Sequence, residues 1–116
     1  MGDIELEELS ARLGEVKVVD VRHEYEYDGS FGSPCDPRQG HLPGAVNVDV
    51  DVLQSLGADE IVERLGVEPG AEIVVYCHSG SRSARAAMIL QYLGFQGRNY
   101  PGSWHEWSRT DLPIEP

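Results

Sequence analysis

A cysteine followed by a short polar, glycine-containing run and then an arginine is the most reactive constellation in this chain: Cys77-His-Ser-Gly-Ser-Arg82. Gly80, between Ser79 and Ser81, lets the backbone fold back tightly, so that successive amide N–H groups turn inward toward the Cys77 sulfur. Such a loop is an anion cradle. The residues after it read as a helix from Ser81, with Ala84, Ala87, Met88 and Leu90 recurring at three and four and Gly94 as its stop. A thiol at a helix N-terminus, facing loop amides and Arg82, ionises easily and becomes a nucleophile near neutral pH. The predicted roles are Cys77 as nucleophile, with His78, Ser79, Gly80, Ser81 and Arg82 as the loop that binds its substrate.

The elements that must present this loop follow from the surrounding pattern. Ile73–Tyr76 is a β-branched and aromatic run, the composition of a strand covered on both faces, and Cys77 sits where it ends. Val16–Val21 is a second buried strand, delivering Asp20-Val-Arg22 to its own carboxyl end; Asp20 and Arg22 read as a buried ion pair supporting the loop. Shorter strands are expected at Ala45–Val48 and Gly97–Tyr100, with a short edge segment at the N-terminus. Helices are expected within Asp3–Leu13, over Ala58–Leu65, and as single turns near Val50–Leu56 and Pro101–Trp107. Tyr25–Gln39 is rich in Gly, Pro, Ser and Asp and reads as an irregular surface loop carrying Cys35. Strands separated by helices give an α/β fold: a mostly parallel central sheet of about five strands, helices on both faces, and function at the carboxyl ends of the strands.

With 116 residues, the chain is expected to form a single domain spanning 1–116. Nine Lys and Arg against 20 Asp and Glu give a net charge of −11, which argues against nucleic-acid and anionic-membrane partners. Two cysteines without metal-ligand spacing predict neither a disulfide framework nor a metal centre. No dinucleotide fingerprint is present, so no cofactor is expected. With no apolar run of membrane-spanning length and no signal-peptide pattern, the expected location is cytoplasmic.

Taken together, Asp20-Val-Arg22, Gly40-His-Leu-Pro-Gly-Ala45, Tyr76-Cys-His-Ser-Gly-Ser-Arg-Ser-Ala84, Gly94-Phe95 and Gly102-Ser-Trp-His-Glu-Trp107 resemble the rhodanese domain, the sulfurtransferase fold, nearly from end to end. The resemblance implies ping-pong chemistry. Cys77 takes a sulfane sulfur from a small-molecule donor (thiosulfate, mercaptopyruvate or a persulfide), holds it as a persulfide, and passes it to cyanide, a small thiol or a protein thiol. In thiosulfate-specialised members a basic residue follows the Asp-x-Arg by four and another lies two after the cysteine; here these places hold Glu26 and Ser79, which implies weak use of thiosulfate. The mercaptopyruvate type tends to a small polar loop ending in threonine, where this chain has Arg82. Two other readings stand beside sulfur transfer. Phosphatase or arsenate-reductase chemistry uses the same fold with a Cys-x5-Arg loop, one residue longer than the Cys-x4-Arg here. A non-catalytic binding or sensing module is the third. His78 and His41 read as a spacer and a turn-stabilising group, Trp104 and Trp107 as packing, and Cys35 as a loop thiol that is a candidate to resolve a Cys77 persulfide.

Overall fold

The computed structural model describes residues 2–116. Four strands, β1 (Lys17–Asp20), β2 (Val46–Asn47), β3 (Glu72–Tyr76) and β4 (Gln96–Asn99), form one sheet in the order β2-β1-β3-β4, every pair parallel. Around them lie α1 (Leu6–Ala11), α2 (Glu24–Tyr27), α3 (Val50–Leu53), α4 (Ala58–Leu65), α5 (Ser81–Tyr92) and α6 (Ser103–Trp107).

Successive strand side chains point to opposite faces, and here both faces are apolar, so the centres of β1 (Val18-Val19) and β3 (Ile73-Val74-Val75) are unbroken Val/Ile stretches rather than alternating ones. Val19, Ile73 and Val75 join Leu53, Ile61, Leu65, Ala86, Ala87 and Leu90 under α3, α4 and α5. Val18, Val74 and Tyr76 join Ile4, Leu9, Tyr100, Trp104 and Trp107 on the other face. Because β1 has β2 on one side and β3 on the other, the strand order reverses between β1 and β3. A crevice opens at such a point outside the strand ends, and Asp20-Val-Arg22 and Cys77 both lie there.

The expected α/β architecture is thus present, with four strands in place of about five. The N-terminal segment makes one strand-like bond, Ile4 N–H to Asn99 O at 2.9 Å. With Ile4 drawn into the core and fully buried, α1 begins at Leu6 rather than within Asp3–Leu13 as a whole. On α5 the covered face is Ser83, Ala86, Ala87 and Leu90, whereas Ala84 and Met88 face outward; the helix is rotated so that Ser83 turns toward the cysteine. Tyr25–Gln39 departs from a plain surface loop: its first turn belongs to α2, and Arg38 donates to the carbonyls of Trp107, Ser108, Thr110 and Leu112 at 2.6–3.3 Å. No helix of the described residues is long and apolar enough to cross a membrane.

Candidate functional site

Cys77 directly follows β3 and is almost fully buried. Three donors converge on its sulfur: the Gly80 amide at 3.1 Å, the Ser83 amide at 3.4 Å and the Ser83 hydroxyl at 3.3 Å. Burial alone would raise the thiol pKa. The Ser83 hydroxyl and the amides of Ser83, Gly80 and Ser79 outweigh it and hold Cys77 below the ordinary thiol value. The amide cradle expected from Gly80 is therefore present, and the N-terminus of the 12-residue α5 opens on the sulfur. Gly80 has φ +97°, and a Cβ there would lie 2.7 Å from the Pro101 carbonyl oxygen, so glycine is required on both conformational and steric grounds.

Two residues of this cradle escape a reading by motif. Ser83, one position beyond the Cys-x4-Arg loop, is the only side-chain hydroxyl bonded to the sulfur among the described residues; a helical projection placing it one turn above Gly80 would have found it. Ser103 accepts the Cys77 amide at 3.1 Å and donates to Tyr100 O at 2.8 Å. It is the one non-glycine residue with positive φ among those described, at 53°. From the same turn, Trp104 N–H and His105 N–H donate to Cys77 O and His78 O, both at 2.9 Å, so α6 clamps the loop from behind.

Arg82 departs from its expected role. Instead of facing the sulfur, its guanidinium forms a fork to Glu26, Nη1 to Oε2 at 2.9 Å and Nη2 to Oε1 at 3.1 Å. Glu26 also accepts the His23 amide at 3.0 Å, closing the first turn of α2. Burial works against the Glu26 carboxylate, yet Arg82 and the His23 amide hold its pKa below the usual value. Ser79 and Ser81 present no side-chain bond among those described. His78 departs from a bare spacer: its Nε2 lies 2.9 Å from Asp36 Oδ2, in a contact misaligned for a hydrogen bond.

Beneath the loop, Asp20 and Arg22 form the expected buried pair, Nη2 to Oδ2 at 2.7 Å and Nε to both carboxylate oxygens at 3.0–3.1 Å. Arg22 also donates to Gly40 O at 2.6 Å and lies over the Trp104 ring at 5.0 Å. The Tyr76 hydroxyl donates to Asp20 Oδ2 at 2.7 Å and accepts the Leu42 amide at 3.0 Å. This network ties the ends of β1 and β3 to the Gly40–Gly44 turn. His41 is indeed a turn anchor, Nδ1 2.8 Å from Tyr27 O, and Trp104 and Trp107 are buried packing residues.

In front of the loop lies an open cleft of about 380 Å³ walled by His23, Tyr25, Glu26, Phe31, Ser33, Pro34, His78 and Arg82. Tyr25 and Phe31 are exposed there. Cys35 is exposed and unpaired with another cysteine, on the segment forming one side of this cleft. A thiol held below its ordinary pKa, amides donating to its sulfur and a cleft against the neighbouring His78 and Arg82 suit nucleophilic attack that leaves one negatively charged atom on the sulfur.

The profile of the rhodanese-like domain family matches residues 5–110. The chain is 34% identical over 121 residues to the thiosulfate sulfurtransferase of Pseudomonas aeruginosa, covering 94% of this chain and 44% of that protein. It is 38% identical to the thiosulfate sulfurtransferase of Corynebacterium glutamicum, covering 88% and 39%. The chain thus spans less than half the length of these curated relatives. Among solved structures it superposes on a probable thiosulfate sulfurtransferase with TM-score 0.85 at 41% identity, covering 98% of this chain and 47% of that one. A human single-domain sulfurtransferase matches with TM-score 0.73 at 28% identity, covering 95% and 97%.

Proposed function

This chain belongs to the rhodanese-like domain family, and from that membership we propose that it is a sulfurtransferase carrying a sulfane sulfur on Cys77. The reading rests above all on the three donors, Gly80 N–H, Ser83 N–H and Ser83 Oγ–H, that meet the Cys77 sulfur. In the first half-reaction the Cys77 thiolate attacks the outer sulfur of the donor. The new S–S bond forms as the donor's own sulfur bond breaks, and the leaving group (sulfite from thiosulfate, a thiolate from an organic persulfide) departs with the electron pair. The negative charge then rests on the terminal persulfide sulfur, where the loop amides receive it as an oxyanion hole receives an oxygen. In the second half-reaction cyanide or a thiolate, small or protein-borne, attacks that terminal sulfur and Cys77 leaves as thiolate.

The pairing of Arg82 supports a choice of donor class. Its fork to Glu26 and the uncharged Ser79 leave the cleft, among the described residues, without a free Lys or Arg for a sulfonate. A thiol-borne persulfide is therefore the preferred donor and thiosulfate a weaker one. The same pairing weakens the phosphatase reading, which needs the loop arginine on the oxyanion. The family match over residues 5–110 supports reading the chain as one rhodanese domain, and the two unpaired cysteines suit a reducing, cytoplasmic setting.

The test is mass spectrometry of the purified protein after treatment with glutathione persulfide. The expected product carries one added sulfur atom on Cys77, removed by cyanide. Transfer by Cys77→Ser at the native rate would refute the assignment.

A further inference from the structure

We propose that Cys35, Asp36 and His78 form a binding site for Zn²⁺ beside the Cys77 loop. Sγ of Cys35, a carboxylate oxygen of Asp36 and a ring nitrogen of His78 all lie within 4.8 Å of one another. Donor atoms stand about 3.3–3.6 Å apart in a tetrahedral zinc site of ordinary bond lengths, and this cluster brackets that spacing. The signal is invisible in sequence because His78 is far along the chain from Cys35-Asp36.

An independent observation points to a ligand. The Asp36 side chain is fully buried, and its Oδ2, like His78 Nε2, has no hydrogen-bond partner although the two atoms are 2.9 Å apart. A buried carboxylate oxygen without a donor is costly, and a cation between Oδ2 and the imidazole lone pair satisfies both. The other oxygen is already held: Arg109 Nη1 donates to Asp36 Oδ1 at 3.0 Å, fixing the carboxylate with Oδ2 turned to the site. His105 Nδ1 stands 4.0 Å from Oδ1, and its ring meets that of His78 edge-on at 5.8 Å. Ser33 Oγ lies 3.0 Å from Cys35 Sγ. The segment bearing the ligands is itself held, with Gln39 Nε2 donating to Ser33 O and Asp36 O and Arg109 to Cys35 O.

Charge and softness choose the ion. One thiolate and one carboxylate neutralise a dication, so Arg109 can remain in place, and a thiolate–imidazole–carboxylate set suits zinc rather than calcium or magnesium. Binding releases the Cys35 thiol proton to solvent and leaves the His78 proton on Nδ1. The bound ion fastens the Ser33–Asp36 side of the cleft to the residue next to Cys77.

The inference stands apart from sulfur transfer and is tested by binding. Reduced, metal-free protein is titrated with Co²⁺ and then with Zn²⁺, following thiolate-to-cobalt charge-transfer absorption and the heat of Zn²⁺ binding. The expected result is one equivalent of Co²⁺ with that absorption, displaced by Zn²⁺ and retained in Cys77→Ser. Cys35 is exposed, so Cys35→Ser disturbs no packing. It should abolish the band and weaken Zn²⁺ binding more than about a hundredfold, since losing even an outer partner of a ligand costs about 10- to 100-fold. Absorption that survives in Cys35→Ser and vanishes in Cys77→Ser would place the metal on the nucleophile and overturn the proposal, as would the lack of stoichiometric uptake at micromolar protein.

Discussion

Replacing Glu26 by glutamine should improve the use of thiosulfate as donor. In the native chain Arg82 is held by two charge-assisted bonds, at 2.9 and 3.1 Å, between partly buried partners. The amide of Glu26→Gln keeps an oxygen for the His23 amide and so preserves the α2 capping contact, but it releases the guanidinium, which lines the same cleft. One charge-assisted contact to the departing sulfonate contributes about 1.5–3 kcal/mol, or roughly a ten- to hundredfold gain in kcat/KM. The assay is thiocyanate formation from cyanide with thiosulfate, run beside glutathione persulfide; the ratio of the two efficiencies separates a donor contact from a general change in Cys77 reactivity. The double variant Glu26→Gln, Arg82→Gln should fall back toward the native ratio, since the gain requires a freed guanidinium to act on the donor. An unchanged ratio in Glu26→Gln would show that the Glu26–Arg82 pair does not govern donor choice.

Ser83→Ala removes the strongest hydrogen-bond support of the Cys77 thiolate, so the alkylation rate of Cys77 by iodoacetamide should reach its midpoint at higher pH than in the native chain; an unshifted profile would assign the ionisation to the amides alone. Asp20→Asn leaves the Arg22 guanidinium buried without its carboxylate, and chemical denaturation should read a loss of about 3–5 kcal/mol; a loss below about 1 kcal/mol, on the order of a surface pair, would contradict the network described. The Arg12 guanidinium, against the opposing effect of burial and with further help from Arg98, lowers the Glu72 pKa from 4.5 to about 2. A depressed carboxylate stabilises the fold fully above its unfolded pKa, so this contribution should persist above about pH 4.5 and disappear as pH falls toward 2. Glu72→Gln should flatten that part of the stability profile, and an identical acid profile would remove the assignment. Finally, the native chain should not hydrolyse aryl phosphates; Cys77-dependent turnover would favour the phosphatase reading.

What the sequence made legible is what depends on local rules. The Val/Ile runs of β1 and β3 announce strands buried on both faces, and Gly80 announces a tight turn because few other residues adopt its φ. Strand ends place Asp20-Val-Arg22 beside Cys77 once the sheet is parallel. Partners brought together across the chain were hidden. Arg82 and Glu26 lie 56 residues apart, and only the fold shows that the arginine of the loop is already paired. His78 looks like a spacer until Asp36 arrives from a loop that composition labels irregular. The rotation of α5 escaped for a related reason: Ala84 and Met88 fit an apolar period, but the buried face is Ala86, Ala87 and Leu90 in line with Ser83, a polar residue that hydrophobic periodicity does not count.

The clamp of α6 on the cysteine loop has a consequence for a chain that emerges from the ribosome N-terminus first. The carbonyls of Cys77 and His78 are satisfied by the amides of Trp104 and His105, and the Cys77 amide by Ser103. Until those residues are out of the exit tunnel, β3 can pair with β1 while the nucleophile's own backbone still bonds to water. The backbone bonding of the cysteine loop is therefore completed in the same step as the core: docking of the aromatic turn both closes the second face of the sheet and satisfies the backbone groups of Cys77 and His78.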